Sequence, residues 1–207
     1  MKFGHFNLIC IPKLKINFIL ISYKMCTIVW IRHAQKAYQN SKGPPGSYAH
    51  DPSIVENDIP NIISRSRQLK ELFGSPNMCI ASPYLRCRQT AATLFGEAKI
   101  DTNISEHLGY QKNRDLEPDV CQSTREAAPK GLPLVRETKD QLRSRVKQHL
   151  VNIRDCQGVC WIVTHGIIID YIYEQLKDIV PNDIKCQPDL NTLGVMYLKD
   201  GKYLGIL

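Results

Sequence analysis

Apolar residues fall along this chain in short dense runs, separated by longer stretches where they recur at wider spacing. CTIVWI (26–31), MCIAS (78–82) and VCWIVT (159–164) are nearly unbroken and rich in β-branched or aromatic residues, the pattern of strands buried on both faces. Between them the spacing turns helical. Pro60 opens one stretch that runs to Phe73, with Ile62, Ile63, Leu69 and Leu72 as its expected inner face and Gly74-Ser75-Pro76 as its stop. A second helix is expected over residues 84–95, after Pro83 and before Gly96. Residues 98–106 predict a short strand and turn. Residues 137–155 predict an amphipathic helix with Leu142, Val146, Leu150 and Ile153 on one stripe. IIIDYIYEQL (167–176) predicts another helix, and GVMYL and KYLGIL a closing strand pair that turns at Asp200-Gly201.

Strands alternating with helices predict an α/β fold, a three-layer α/β/α sandwich with a mainly parallel central sheet. Two polar stretches break the alternation. Residues 32–53 follow the first strand as a long loop, in which Gly43-Pro44-Pro45-Gly46 is turn chemistry, and residues 107–133 form an irregular excursion that can lie over a site. In such sheets ligands bind beyond the carboxyl ends of the strands. Arg32-His33, Ser82 to Arg86, and Thr164-His165-Gly166 each follow a predicted strand directly, so three distant segments are expected to meet in one crevice.

Length and composition narrow the function classes. The 207 residues suit one domain, and 43% hydrophobic against 23% charged residues excludes a mostly disordered chain. The net charge of +7 suggests a nucleic-acid partner until its location is considered. Lys2, Lys13, Lys15 and Lys24 stand in a 24-residue beginning with no acid, and later bases are interspersed with acids, as in RETKDQLRSRVK (136–147). No nucleic-acid partner is expected. Residues 1–24 are expected to be a leader or optional extension, with the domain spanning 25–207. Pro12, Lys13 and Lys15 interrupt their apolar character, and NFILI is too short to span a bilayer, so stable membrane insertion is not expected. The eight cysteines contain no CxxC pair and several sit in apolar runs. They are expected to be reduced core thiols of a cytoplasmic protein, with no metal site and no cofactor. Trp30 and Trp161, among apolar neighbours, are expected to be core.

Two histidines and two arginines at strand ends have a specific chemical use. Arginine forks recognise phosphate bidentately, and phosphoryl transfer needs a nucleophile together with donors that meet charge on the equatorial oxygens. IRHAQ (31–35), ASPYLRCRQTAA (81–92), Glu106, ETKDQLRSRV (137–146) and IVTHG (162–166) resemble, in order, the motifs of the histidine phosphatase (phosphoglycerate-mutase-like) superfamily. SPYLRCRQTA is similar to the segment in the eukaryotic suppressor phosphatases of T-cell-receptor signalling. The resemblance implies that His33 accepts the phosphoryl group, that Arg32 and Arg86 clamp it, that His165 completes the pocket and that Glu106 is the proton donor, with Asp101, Glu117 and Asp119 as other carboxylates nearby. It also implies substrate contacts from Gln39 and Gly166, and a phosphorylated small molecule or phosphoprotein as substrate. Arg88 is expected on a different helix face from Arg86, and Thr90 and Ala91 in the packing. Two departures stand out. Ala34 replaces the usual glycine, whose place a methyl group can obstruct, so a catalytically weak member that binds a phosphorylated ligand is one alternative. Tyr38-Gln39 replace the Trp-Asn common in the mutases, which favours a phosphatase over the other alternative, a phosphoglycerate-type mutase.

Overall fold

The computed structural model describes residues 26–37, 53–106, 137–178, 180–181, 190–200 and 203–207. Six strands form one sheet: β1 Cys26–Arg32, β2 Met78–Ala81, β3 Lys99–Ile100, β4 Gly158–Thr164, β5 Val195–Lys199 and β6 Tyr203–Ile206. Their order is β3-β2-β4-β1-β5-β6. The first four run parallel, and β5 and β6 are antiparallel additions at one edge. Among the described residues four α-helices accompany them: α1 Ile59–Phe73, α2 Leu85–Phe95, α3 Lys139–Asn152 and α4 Gly166–Leu176.

The unbroken apolar runs divide by the two-residue period of a strand. Ile28 and Trp30 of β1, with Cys160 and Ile162 of β4, face Leu142, Val146 and Leu150 of α3 and Ile168, Ile169 and Ile172 of α4. Val29 and Ile31, with Trp161 and Val163, face Ile62 and Leu69 of α1 and Cys87, Ala91 and Leu94 of α2. Both faces of the sheet are thus covered, which is the expected three-layer sandwich, and both tryptophans are fully buried. Helix boundaries follow local chemistry. Gly74 and Gly96 end α1 and α2 with positive φ, and α3 opens with Thr138 and Gln141 in a reciprocal capping box.

Two expectations need correction. On α1 the buried positions are Ile62, Ser66 and Leu69, while Ile63 and Leu72 are about half exposed. Ser66 takes an inner place because its hydroxyl donates to the Leu94 carbonyl of α2, which a larger apolar side chain would push away. The cysteines are not all reduced thiols, since Cys26 at the start of β1 and Cys156 after α3 form a disulfide. Both lie in the same buried cluster, so apolar burial brings the sulfurs together. Among the described residues, Cys79, Cys87 and Cys160 stay outside any disulfide. A cross-link over a separation of 130 residues is worth roughly 4–5 kcal/mol on loop entropy alone. Reductant should therefore lower the melting temperature of the native protein and leave Cys156→Ser unaffected. Equal calorimetric curves with and without reductant would remove the bond from the account.

Candidate active site

The parallel register brings the strand ends level. Arg32 pairs with Thr164, and Ala81 with Val163. The next residues, His33, Ser82 and His165, therefore emerge within one residue of the same level, Ser82 beside Thr164 and His33 beside His165, and His33 N and Ser82 N still bond back to the Thr164 and Val163 carbonyls at 2.9 Å. The long chain leaving β1 returns through a bridge between Lys36 and Ile54.

His33 is nearly buried and held at both ring nitrogens. Nδ1 lies 2.7 Å from the Ala34 carbonyl, and a carbonyl only accepts, so Nδ1 carries the proton. Nε2 keeps its lone pair and accepts from Arg86 Nε at 3.2 Å. Burial, followed by the neighbouring His165 and, more weakly, Arg86, lowers the imidazole to about 3, so the ring is neutral at physiological pH.

Arg86, also buried, is the hub. Its Nη2 donates to Glu106 Oε2 at 2.9 Å and lies 3.3 Å from His165 Nδ1, and its guanidinium stands 4.6 Å over the Tyr84 ring. His165 has Nδ1 3.1 Å from Glu106 Oε2 and Nε2 2.9 Å from Ser82 Oγ. Burial pushes His165 down against the opposing pull of Glu106. Burial alone would raise Glu106, but His165 and Arg86 outweigh it and hold the carboxyl far below the usual range. Arg32 gives Nη1 to the Leu190 carbonyl, while its Nε is buried with no hydrogen-bond partner. A Cβ on Gly166 would sit 3.4 Å from that guanidinium, so glycine keeps the space beside it open. Gly166 also begins α4, and Gly166 and Ile167 line the cavity, where a helix N-terminus favours anions.

Beside them is a cavity of about 360 Å³ lined by Arg32, His33, Lys36, Glu106, Gly166 and Asp170 among others, with Arg86 and His165 buried behind His33 and Glu106. His33, Glu106 and His165 also offer ligating atoms within 4.8 Å of one another, a spacing that suits a metal ion. Arg86 donates into the middle of that set, and its positive charge opposes a second cation there.

A family model for the histidine phosphatase superfamily, branch 1, matches residues 28–202. The chain belongs to this superfamily. A comparison with curated proteins gave no match. Among solved structures, the chain is similar to a phosphoglycerate mutase from Bacillus anthracis, at 16% identity and TM-score 0.59, over 90% of this chain and 93% of that one. It is also similar to a phosphoserine phosphatase from Entamoeba histolytica, at 16% identity and TM-score 0.56, over 88% and 95% of the two chains. A mycobacterial glucosyl-3-phosphoglycerate phosphatase shares 16% identity and TM-score 0.55 over 87% and 96%. At these identities the likeness is one of fold, the phosphoglycerate-mutase-like α/β sandwich.

Of the residues expected to form the site, Arg32, His33, Arg86, Glu106, His165 and Gly166 come together. Gln39, Glu117 and Asp119 lie outside the described residues, as do the turn at 43–46 and the excursion 107–133. Asp101 faces away toward α3, leaving Glu106 as the described carboxylate at the histidines. Arg88 is exposed, and Thr90 and Ala91 are buried, as the helix spacing predicts. The methyl of Ala34 obstructs nothing, because it packs into the core on the α1–α2 face while its N–H donates to Thr90 Oγ1 at 3.0 Å. Lys36 and Asp170 at the cavity were not singled out from the sequence. Their signal was position, one three residues past His33 and the other a turn past Gly166.

Proposed function

We propose that this protein is a phosphomonoesterase that works through a covalent phosphohistidine on His33. The observation that carries the proposal is the fixed tautomer: with Nδ1 bound to the Ala34 carbonyl, the Nε2 lone pair faces the guanidinium that would hold a phosphate. Nε2 attacks phosphorus, the ester P–O bond breaks, and the departing alkoxide takes a proton from Glu106. Water then gives a proton back to Glu106 and attacks the phosphohistidine, breaking the P–N bond and releasing phosphate. Arg32, Arg86, His165 and the α4 N-terminus meet charge on the equatorial oxygens.

With His165 and Arg86 beside it Glu106 is ionised, and it must be protonated to act as an acid. A dianionic phosphate reverses the balance, because it draws Arg86 and His165 to itself and places negative charge beside the carboxylate. The substrate is a phosphorylated small molecule or a phosphoprotein. The likeness of SPYLRCRQTA to the suppressor phosphatases of T-cell-receptor signalling supports a phosphatase, as does Tyr38-Gln39 where mutases have Trp-Asn. Fold neighbours named as a mutase and as phosphatases keep phosphoryl return to a second hydroxyl as the rival outcome.

Acid-labile, alkali-stable label on His33 after quenching during turnover would carry the mechanism. Label on Cys87 or a serine would sink it. With phosphoglycerates, release of inorganic phosphate marks a phosphatase and isomerised phosphoglycerate a mutase. Because Arg86 and Arg32 supply positive charge, EDTA should leave turnover of p-nitrophenyl phosphate unchanged, and loss restored by one divalent ion would contradict that role.

A further inference from the structure

Behind the site lies a second titratable cluster that the steps above do not use. His149 of α3 is fully buried, with Nε2 accepting from the Trp30 indole at 3.2 Å and Nδ1 2.7 Å from Asp101 Oδ2. An indole N–H only donates, so the lone pair is on Nε2 and the proton on Nδ1. His149 therefore donates to Asp101. The other Asp101 oxygen accepts from Asn103 N and Nδ2, both at 2.9 Å.

Filling the core does not require this pair. Position 149 belongs to the stripe of Leu142, Val146, Leu150 and Ile153, where an aliphatic side chain would bury without the cost of enclosing an imidazole and a carboxylate. What the pair does hold is the segment that ends at Glu106. Asp101 N donates to the Ala81 carbonyl at 3.0 Å, Arg145 Nη1 to the Asn103 carbonyl at 2.7 Å, and Thr164 Oγ1 to the Ile104 carbonyl at 2.8 Å. Each of those anchors comes from β2, α3 or β4. Beyond the Arg86 link between His33 and Glu106, the β1 strand that leads into the nucleophile reaches the segment through Trp30, His149 and Asp101.

We propose that His149 is a positioning residue, which through Asp101 and Trp30 sets the Glu106 carboxylate against the β1 strand and so against the substrate oxygen it must protonate. The inference rests on Glu106 being the proton donor. A displaced donor harms a reaction only where the leaving group needs its proton, so the effect of losing His149 should depend on the leaving group, which a general loss of folded protein would not.

Single-turnover enzyme phosphorylation should be compared for an alkyl phosphate and p-nitrophenyl phosphate, using the full chain. In His149→Leu the alkyl reaction should slow by about 10- to 100-fold and the aryl reaction by less than about threefold, the scale expected when a catalytic group is misplaced by about an ångström. His149→Asn keeps an N–H near the Nδ1 position and should recover most of the alkyl rate. Trp30→Phe keeps an aromatic ring but removes the indole N–H together with part of the buried ring volume. Read by the ratio of alkyl to aryl rates, which lost packing alone would not shift, it should show the same selectivity more weakly and serves if His149→Leu does not fold. Equal slowing of both substrates in the folded variants, or no slowing, overturns the inference while Glu106→Gln still shows selectivity. Absence of selectivity in Glu106→Gln itself overturns the donor assignment, and the positioning role with it.

Discussion

His33→Ala should abolish phosphoenzyme formation and lower turnover by at least about 10⁴-fold, the scale on which losing the attacking group costs an enzyme with a covalent intermediate. Rapid-quench labelling and steady-state assay on p-nitrophenyl phosphate measure the two effects, and a variant that retains label would exclude His33 as the acceptor. The same substitution has a second expected result. His33 is held near 3 in the folded protein against an ordinary value of 6.5. The unfolded chain therefore binds the extra proton first, and stability falls as pH drops from about 6.5 toward 3. Glu106 adds to this in the same direction, since a carboxyl depressed in the folded state also loses stability as pH falls. His33→Ala removes the imidazole part of that loss. Its unfolding free energy should decline less steeply on acidification than that of the wild type, in denaturant titrations from pH 7 to pH 4. A steeper decline would contradict a neutral, buried His33.

Glu106→Gln should slow phosphorylation by alkyl phosphates on the order of 10²- to 10⁴-fold, the usual contribution of a positioned acid, and slow p-nitrophenyl phosphate far less, because nitrophenolate leaves without a proton. The step must be isolated in a burst, since the same carboxylate activates water for dephosphorylation and steady-state rates mix the two roles. Dephosphorylation should slow for both substrates alike, because they share the phosphoenzyme. Equal slowing of the two in the burst would remove Glu106 as the acid. Glu117 and Asp119 would then be the carboxylates to test, Asp101 being bound to His149.

The site was legible where strong strand patterns run straight into polar residues. IRH, ASPYLR and VTHG each place their chemistry at the first position after an apolar run, and a parallel register then brings those positions level. Glu106 had no such frame. Its placement relied on resemblance, because a carboxylate after a two-residue strand looks the same in sequence as a solvated one. His149 was illegible for the opposite reason: it stands in a polar run, RSRVKQHLVN (143–152), and only its spacing, three after Val146 and four before Ile153, puts it on the buried stripe. The Cys26–Cys156 pairing depends on three-dimensional proximity that spacing does not encode. On α1 the adjacent Ile62 and Ile63 left the inner face ambiguous by a third of a turn, and the Ser66–Leu94 hydrogen bond decided it.

The neighbouring placement of β1 and β4 bears on how the chain acquires its activity. Arg32 and Thr164 are register partners in the sheet but stand 132 residues apart in sequence (164 minus 32), so the candidate site is a contact of very high sequence separation. Such contacts slow folding, because the entropy of closing a long loop must be met before the pairing stabilises anything. During synthesis, β1 emerges with two buried faces and no partner on either side until β4 has been made. The strand that leads into His33 therefore waits as an unpaired hydrophobic segment until β4 is made, and misassembly would begin there.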